Sequence, residues 1–258
     1  MTGLLHALGP YAPLAALVFL AGFVDSIAGG GGLITLPAYL AHGLSPALLL
    51  GTNKLSSSMG TSVAAAKFVK ETRFGADFLF ILLVLAAGGS VLGARAISLV
   101  PPEVIRYLLI ILLPPVAIFL AAKKSFGLAD TSKAHTEGQL LKRSGAIAFF
   151  ISCYDGLLGP GTGTFLAVAF SRLCGFDLLR STALAKLLNL VSNLAALATF
   201  LYLGTVNVKL GLAMGAAGMA GNYLGSHVAL KKGAWIIRPM LFTVSAALLA
   251  KIAWDMLR

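Results

Sequence analysis

Long apolar runs separated by short polar segments dominate the chain. Six of them approach or exceed the ~20 residues that a helix needs to cross a bilayer, and they cover residues 47–66, 77–99, 102–122, 179–203, 208–229 and 234–257. Two further runs, 11–42 and 144–174, are interrupted near the middle by glycine and proline. Neither half of such a run is long enough for a full span. The pattern predicts an all-α polytopic membrane protein with about eight hydrophobic segments.

Composition supports this prediction and limits the partners. Of 258 residues, 58% are hydrophobic and only 11% are charged, which is far more apolar than a soluble protein. The formal net charge of +11 does not indicate nucleic acid, because the sequence has no soluble basic domain that could bind it. Cys153 and Cys174 lie in or beside apolar runs and lack the spacing of metal ligands. We expect an integral membrane protein with no metal and no other cofactor.

The second half of the chain repeats the chemistry of the first. Three polar residues on one helical face recur 132 positions later, so that Lys54, Ser57 and Thr61 correspond to Lys186, Asn189 and Asn193. An aspartate before a glycine cluster also occurs twice, 130 positions apart, as Asp25 before Gly29–Gly32 and as Asp155 before Gly159 and Gly161. The repeat predicts a first transmembrane domain at 1–122, a polar linker at 123–143 and a second transmembrane domain at 144–258.

Charge placement predicts how the repeats sit in the membrane. If each interrupted run is a broken re-entrant helical hairpin, each repeat adds three transmembrane helices and the second repeat is inverted. One face then carries Lys67, Lys70, Arg73, Lys123, Lys124, Lys133, Lys142, Arg143, Arg172, Arg180, Lys231, Lys232 and Arg238. This is 13 of the 20 Lys and Arg residues, against five on the other face, whereas single crossings would give 11 and seven. The positive-inside rule therefore predicts a cytoplasmic linker and termini outside. The expected location is the cell inner membrane.

Lysines inside two of the spans are the strongest candidates for function. A charged side chain is costly there unless it faces a cavity or a partner, and residues three and seven positions later share its helical face. A cation beside neutral hydrogen-bond donors suits an oxyanion, and the broken helices add backbone N–H groups and positive helix ends. The predicted substrate-binding residues are Lys54, Ser57, Thr61, Lys186, Asn189, Asn193, Gly30, Gly31, Gly161 and Thr162.

Structural roles for the same residues stay open. Each lysine alternatively pairs with the aspartate of its own repeat, Asp25 or Asp155, and the glycines alternatively serve only a tight turn. The aspartates either cap exposed N–H groups at the breaks or couple transport to H⁺ or Na⁺. Asn53 is expected to cap the start of its helix. Asn222, which has no counterpart of the same type in the first half, is expected to form an interhelical hydrogen bond.

Four stretches carry a family resemblance. They are GFVDSIAGGGGLITLP (22–37) and GTNKLSSS (51–58) in the first half, and YDGLLGPGTGTFL (154–166) and AKLLNLVSN (185–193) in the second. Together they resemble the TauE/SafE family of sulfite exporter-like membrane proteins, over nearly the whole chain. The resemblance implies export of sulfite or a small organosulfonate from the cytoplasm. Related sequences often carry a polar pair where this chain has Leu184 and Ala185, which leaves the substrate preference open.

We therefore expect a secondary transporter, not an enzyme, that binds one small sulfur oxyanion between inverted repeats. A passive small-anion channel would use the same lysines and helix ends. Two further functions compatible with the sequence are a membrane-embedded enzyme, with Ser57 as nucleophile and Lys54 as base, and a non-transporting assembly protein. The expected partners are the anion, the lipid bilayer and H⁺ or Na⁺ as coupling ion, and a homo-oligomer is compatible with the sequence.

Overall fold

A computed structural model describes residues 11–70, 74–121 and 129–232. Within these ranges the chain forms nine α-helices and no strand, which confirms the predicted all-α fold. The helices are α1 (Ala12–Ala28), α2 (Gly32–Ala41), α3 (Pro46–Lys70), α4 (Ala76–Ser98), α5 (Pro102–Ala121), α6 (Glu137–Leu157), α7 (Thr162–Cys174), α8 (Leu178–Tyr202) and α9 (Val208–Lys232). The predicted span at 234–257, with Arg238, and linker residues 123–128 lie outside the described residues.

Each interrupted apolar run forms two helices, and glycine makes the break. Gly29 (φ 78°) ends α1, while Gly159 (φ 86°) and Gly161 (φ 80°) lie between α6 and α7. Glycine adopts this left-handed conformation freely, whereas a side chain there would be strained. The second pair of helices starts earlier than expected. Because Thr136 and Gln139 form a capping box, α6 begins at Glu137, inside the predicted linker.

Length and composition alone identify fewer membrane spans than the hydrophobic runs predict. Among the described helices, α4 and α8 are long and apolar enough to cross a bilayer, while α1, α2 and α7 are apolar but shorter. Helix α3 has 25 residues but carries Lys54 and three consecutive serines. These polar residues lower the mean hydropathy of α3, although the helix is long enough to cross a bilayer.

The two halves pack against each other through equivalent contacts. Helix α8 begins and ends 132 residues after α3, and α9 begins 132 residues after α4. Small residues allow close helix packing, and the same glycines serve in both halves. Gly89 and Gly93 of α4 lie against the backbone of Phe149 and Cys153 in α6, as Gly221 and Gly225 of α9 lie against that of Phe19 and Phe23 in α1. Each half thus supplies a helix that packs against the first helix of the other half's interrupted run.

Helices α1 and α3 run in the same direction. Along α3, Leu55 and then Met59 meet Gly211 and then Gly215 of α9, so α3 and α9 are parallel. Helix α1 is also parallel to α9, because Phe19 and then Phe23 of α1 meet Gly221 and then Gly225 of α9. Between α1 and α3 the chain must run back, so α2 is antiparallel to α1 and the two helices form a hairpin.

Helices α3 and α8, which are equivalent in the two halves, run in opposite directions. Gly51 of α3 lies against Phe200 of α8, and Lys54, one turn later, reaches Asn193, almost two turns earlier in α8. Moving forward along α3 therefore means moving backward along α8.

Asp130, a linker residue, forms an ion pair with Arg180 of α8. Its Oδ2 is 2.6 Å from Arg180 Nη1, and its Oδ1 accepts a hydrogen bond from the Ser132 backbone N–H at 2.9 Å. Partial burial alone would raise the pKa of Asp130, but the hydrogen bonds from Ser132 and Arg180 outweigh this effect and hold the pKa below its usual value.

We expect Asp130→Asn to lower the free energy of unfolding by about 0.5–1 kcal/mol at neutral pH, as for other partly exposed ion pairs. Because the folded-state pKa is depressed, the contribution is complete above the unfolded pKa of about 3.9. It is lost as the pH falls through the lower folded value. Melting temperatures of both proteins in detergent, from about pH 7 to about pH 3, should therefore converge at the acid end. A difference that stays constant with pH would contradict this assignment.

Candidate functional site

The two helix breaks pack against each other. Gly29 lies against the backbone of Gly163 and Thr164, and Gly32 lies against Pro160. A Cβ atom on Gly29 would come within 2.5 Å of the Thr164 nitrogen, so only glycine allows this approach. Helices α2 and α7 therefore begin side by side. In these first turns, the N–H groups of Leu33, Ile34 and Thr162 donate to the main-chain oxygens of Gly30, Gly31 and Gly159.

A cavity of about 40 Å³ lies at the breaks, with room for the centres of about three water-sized groups. Both halves of the chain contribute to its wall. The polar side chains that line it belong to Asp25, Thr35, Asn53, Lys54, Ser56, Ser57, Thr61, Asp155, Thr162, Asn189, Asn193 and Asn222. Most of the other lining residues are glycines of the breaks and of α1 and α9.

Lys54 lines this cavity as a buried cation. Its Nζ lies 2.6 Å from Asp155 Oδ2 and donates to Asn193 Oδ1 at 2.8 Å. The Lys54 and Asp155 side chains are 4% and 3% exposed, and Ser192 donates a further hydrogen bond to Asp155 Oδ2. An ammonium group has three N–H donors, of which the described residues engage two. The third is free for a ligand in the cavity.

Lys186, the counterpart of Lys54, has different contacts. Its Nζ donates to the main-chain oxygen of Asp25 and lies 3.4 Å from Asp25 Oδ2. Each lysine therefore pairs with the aspartate of the opposite half, and the alternative of pairing within each repeat is wrong. The two breaks contact each other, so the aspartate beside each break lies next to the lysine of the opposite half.

Most of the predicted binding residues line this cavity. These are Lys54, Ser57, Thr61, Asn189, Asn193, Gly31, Gly161 and Thr162, whereas Lys186 and Gly30 do not line it. Asp25, Asp155 and Asn53, for which coupling or structural roles are predicted, line it as well. Within the described part of the chain, the hydroxyl groups of Ser57 and Thr61 make no hydrogen bond. Both are therefore available to a ligand.

Asn53 does not cap its helix. Helix α3 begins at Pro46, a residue favoured at the first helical position, so Asn53 lies two turns inside. Its Oδ1 accepts a hydrogen bond from Thr35 Oγ1 at 2.5 Å, and Tyr39 donates to Ser56 Oγ at 2.8 Å. These two hydrogen bonds fix α2 to α3 beside the cavity.

Asn222 is a lining residue that the sequence did not identify. The expected interhelical hydrogen bond is absent from the described residues: Asn222 Nδ2 donates to Gly218 O, four residues earlier in α9, at 3.0 Å. Its Oδ1 is buried and makes no hydrogen bond there. The sequence repeat gave no support for a role of Asn222, because the residue 132 positions earlier is Ser90. The signal that would have found it is the pair Gly22 and Gly60, which leave room for its side chain.

A profile of the family described as sulfite exporter TauE/SafE matches residues 14–252. The chain is 38% identical over 242 residues to ORF9, a probable membrane transporter protein of a Sinorhizobium species, and the match covers 94% of this chain and 92% of the relative. It is 38% identical over 240 residues to YfcA, a probable membrane transporter protein of Escherichia coli K12, with 93% and 88% covered. A probable membrane transporter protein of Haemophilus influenzae is 35% identical over 237 residues, with 92% of each chain covered. No solved structure matches the chain.

Proposed function

The chain belongs to the sulfite exporter TauE/SafE family of membrane transporters, and from this premise we propose that it exports a small sulfur oxyanion bound between its two halves. The observation that carries the proposal is the cavity of about 40 Å³ at the paired helix breaks. Donors from both halves converge on it, and one of them is a buried lysine. Transporters built from repeats commonly bind their substrates at such paired broken helices.

The membrane topology that we propose is an inverted repeat in the cell inner membrane. Two findings support it: α1 and α3 run in the same direction, as a re-entrant hairpin requires, and α3 and α8 run in opposite directions, as inversion requires. Each repeat then has one hairpin and three crossings, the linker is cytoplasmic, and both termini lie outside. Alternating access would follow from rocking of one repeat against the other about the cavity.

Hydrogen-bond donors on the cavity wall favour an oxyanion as substrate. Within the described residues, Lys54 Nζ has one N–H without a partner, and Gly161 presents the backbone of the break. The Thr162 hydroxyl lines the cavity but already donates to Gly159 O at 2.8 Å. The positive ends of α2 and α7 point at this region. Asn189 and Asn193 add amide groups on the opposite wall. Lys186, which lies outside the cavity, would hold the end of α1 in place rather than touch the anion.

Cavity size favours sulfite over organosulfonates. The cavity volume of about 40 Å³ is a few times that of one water-sized group, so a small inorganic anion such as sulfite displaces less of the wall than an organosulfonate. Each additional carbon must displace the wall, and overpacking typically costs about 1–3 kcal/mol. This corresponds to about tenfold or more in affinity.

We expect sulfite to compete for transport at least about tenfold better than methanesulfonate, and methanesulfonate better than ethanesulfonate. The measurement is inhibition of labelled sulfite uptake into proteoliposomes that contain the purified protein, with empty liposomes as control. Saturable flux that accelerates with sulfite on the opposite side would support a carrier. Currents at ion-channel rates would contradict one, and equal inhibition by all three anions would contradict the size argument.

A further inference from the structure

Fixed charges in and beside the cavity already balance. Lys54 is 2.6 Å from Asp155 and Lys186 is 3.4 Å from Asp25, so two cations meet two anions within the described residues. An anion that enters adds a net negative charge in the interior of the membrane, where an unpaired charge is costly. A cation that enters with it restores the balance.

Asn222 offers an oxygen that such a cation would need. The residue is 3% exposed, and its Oδ1 makes no hydrogen bond within the described residues. Its Nδ2 lies against Gly22 and Gly60, and the residue lines the cavity. Buried side-chain oxygens in native structures nearly always have a partner. This one points to a ligand that carries positive charge or a hydrogen-bond donor.

Three more oxygen-bearing side chains lie within about one helical turn of this position. Asp25 follows Gly22 by three residues in α1, and Ser57 and Thr61 flank Gly60 in α3. The Asp25 carboxylate is held loosely, since the Gly31 N–H donates to it at 3.2 Å and Lys186 lies 3.4 Å away. All of these side chains line the cavity.

The equivalent position in the other half lacks these free oxygens. Ser90 corresponds to Asn222, and its hydroxyl donates to Ser192 O at 2.6 Å. Ser192 corresponds to Gly60, and its hydroxyl is bound to the Asp155 carboxylate. Asp155 is also engaged by Lys54 at 2.6 Å. The two half-sites are therefore chemically different, with donors around Lys54 and acceptors around Asn222.

We propose that the cavity binds one Na⁺ beside the anion, held by the side-chain oxygens of Asn222, Asp25, Ser57 and Thr61. One carboxylate with neutral oxygens favours a monovalent ion, because Ca²⁺ and Mg²⁺ take several carboxylates or ordered waters. A volume of about 40 Å³, shared with the anion, favours Na⁺ over the larger K⁺. The inference rests on the proposed function, since it names the ion that travels with the substrate. Each ligand then raises the affinity for the other.

The first test measures Na⁺ binding without transport. The melting temperature of the purified protein in detergent is compared in NaCl, KCl and N-methylglucamine chloride at equal ionic strength. Ligand binding to the folded state raises stability, so we expect a saturable rise in NaCl only, which sulfite enlarges. No difference between NaCl and KCl would overturn the inference, whether or not sulfite is transported.

Two variants test the assigned residues, and a third is the matched control. Asn222→Leu and Thr61→Val should each raise the Na⁺ concentration for half-maximal stabilisation at least about tenfold, since even partners of ligands contribute that much to ion affinity. Ser152→Ala should not, because Ser152 Oγ is also buried without a partner among the described residues but does not line the cavity. Equal responses of Thr61→Val and Ser152→Ala would overturn the site even if Asn222→Leu failed to fold.

Flux separates this inference from the proposed function. Labelled sulfite movement in proteoliposomes should respond to a Na⁺ gradient imposed at equal pH. Sulfite movement driven by a pH gradient without Na⁺ would overturn the Na⁺ site and leave the anion proposal standing. Na⁺-specific stabilisation that Asn222→Leu abolishes, without any sulfite flux, would support the ion site and reject sulfite as the substrate.

Discussion

Replacing Lys54 with methionine should lower sulfite transport at least about tenfold. Hydrogen bonds that involve a charged group contribute about 1.5–3 kcal/mol, so the loss of the ammonium group should weaken anion binding roughly 10- to 150-fold. The variant also leaves Asp155 buried without its cation, which typically costs about 3–5 kcal/mol of stability. A lower melting temperature should therefore accompany the loss of labelled sulfite uptake.

A second substitution separates binding from folding. The double variant Lys54→Met/Asp155→Asn removes both charges of the pair, which lie 2.6 Å apart, and should recover stability without recovering transport. Lys67→Met is the matched control on the same helix. Its Nζ donates to Tyr223 O at 2.8 Å and lies away from the cavity, so uptake should stay close to that of the parent. Full uptake by the folded double variant would reject Lys54 as an anion-binding residue.

Gly93→Ala should destabilise the protein by about 3 kcal/mol, the upper end of what overpacking usually costs. A Cβ atom at this position would collide with Cys153 O and come within 2.8 Å of the Leu157 nitrogen. Both atoms belong to the backbone of α6, so no side-chain rotation relieves the clash and the helices must separate. Melting temperature and the monodisperse yield from size-exclusion chromatography in detergent measure the effect.

Gly88→Ala on the same helix is the control. A Cβ atom there meets nothing within 4 Å, so the substitution should gain the helix propensity of alanine, about 1 kcal/mol. Gly225→Ala, which is equivalent to Gly93→Ala in the other half, should be as harmful, because its Cβ would collide with the Phe23 backbone. Similar melting temperatures for Gly88→Ala and Gly93→Ala would contradict the close packing of α4 on α6.

Local properties of the sequence predicted the helices and their breaks. Apolar runs and glycine clusters act over a few residues, so the breaks at Gly29 and at Gly159 and Gly161 were correctly placed. The start of α3 was misjudged because the asparagine at position 53 looked like a cap, while Pro46, a stronger start signal, stood seven residues earlier. Helical periodicity also identified Ser57 and Thr61 as sharing the face of Lys54, and all three line the cavity.

The sequence by itself thus determined the helical fold, the repeat of 130 to 132 positions and most of the polar residues that line the cavity. Only the tertiary structure decided which lysine pairs with which aspartate. Periodicity tells which face of a helix a residue occupies but not which helix lies opposite, and the contact between the breaks pairs Lys54 with Asp155 and Lys186 with Asp25. Packing also breaks the symmetry of the repeat. Gly22 and Gly60 admit Asn222 to one half-site, and its oxygen, which has no hydrogen-bond partner in the part of the chain that the structure describes, makes the two half-sites different.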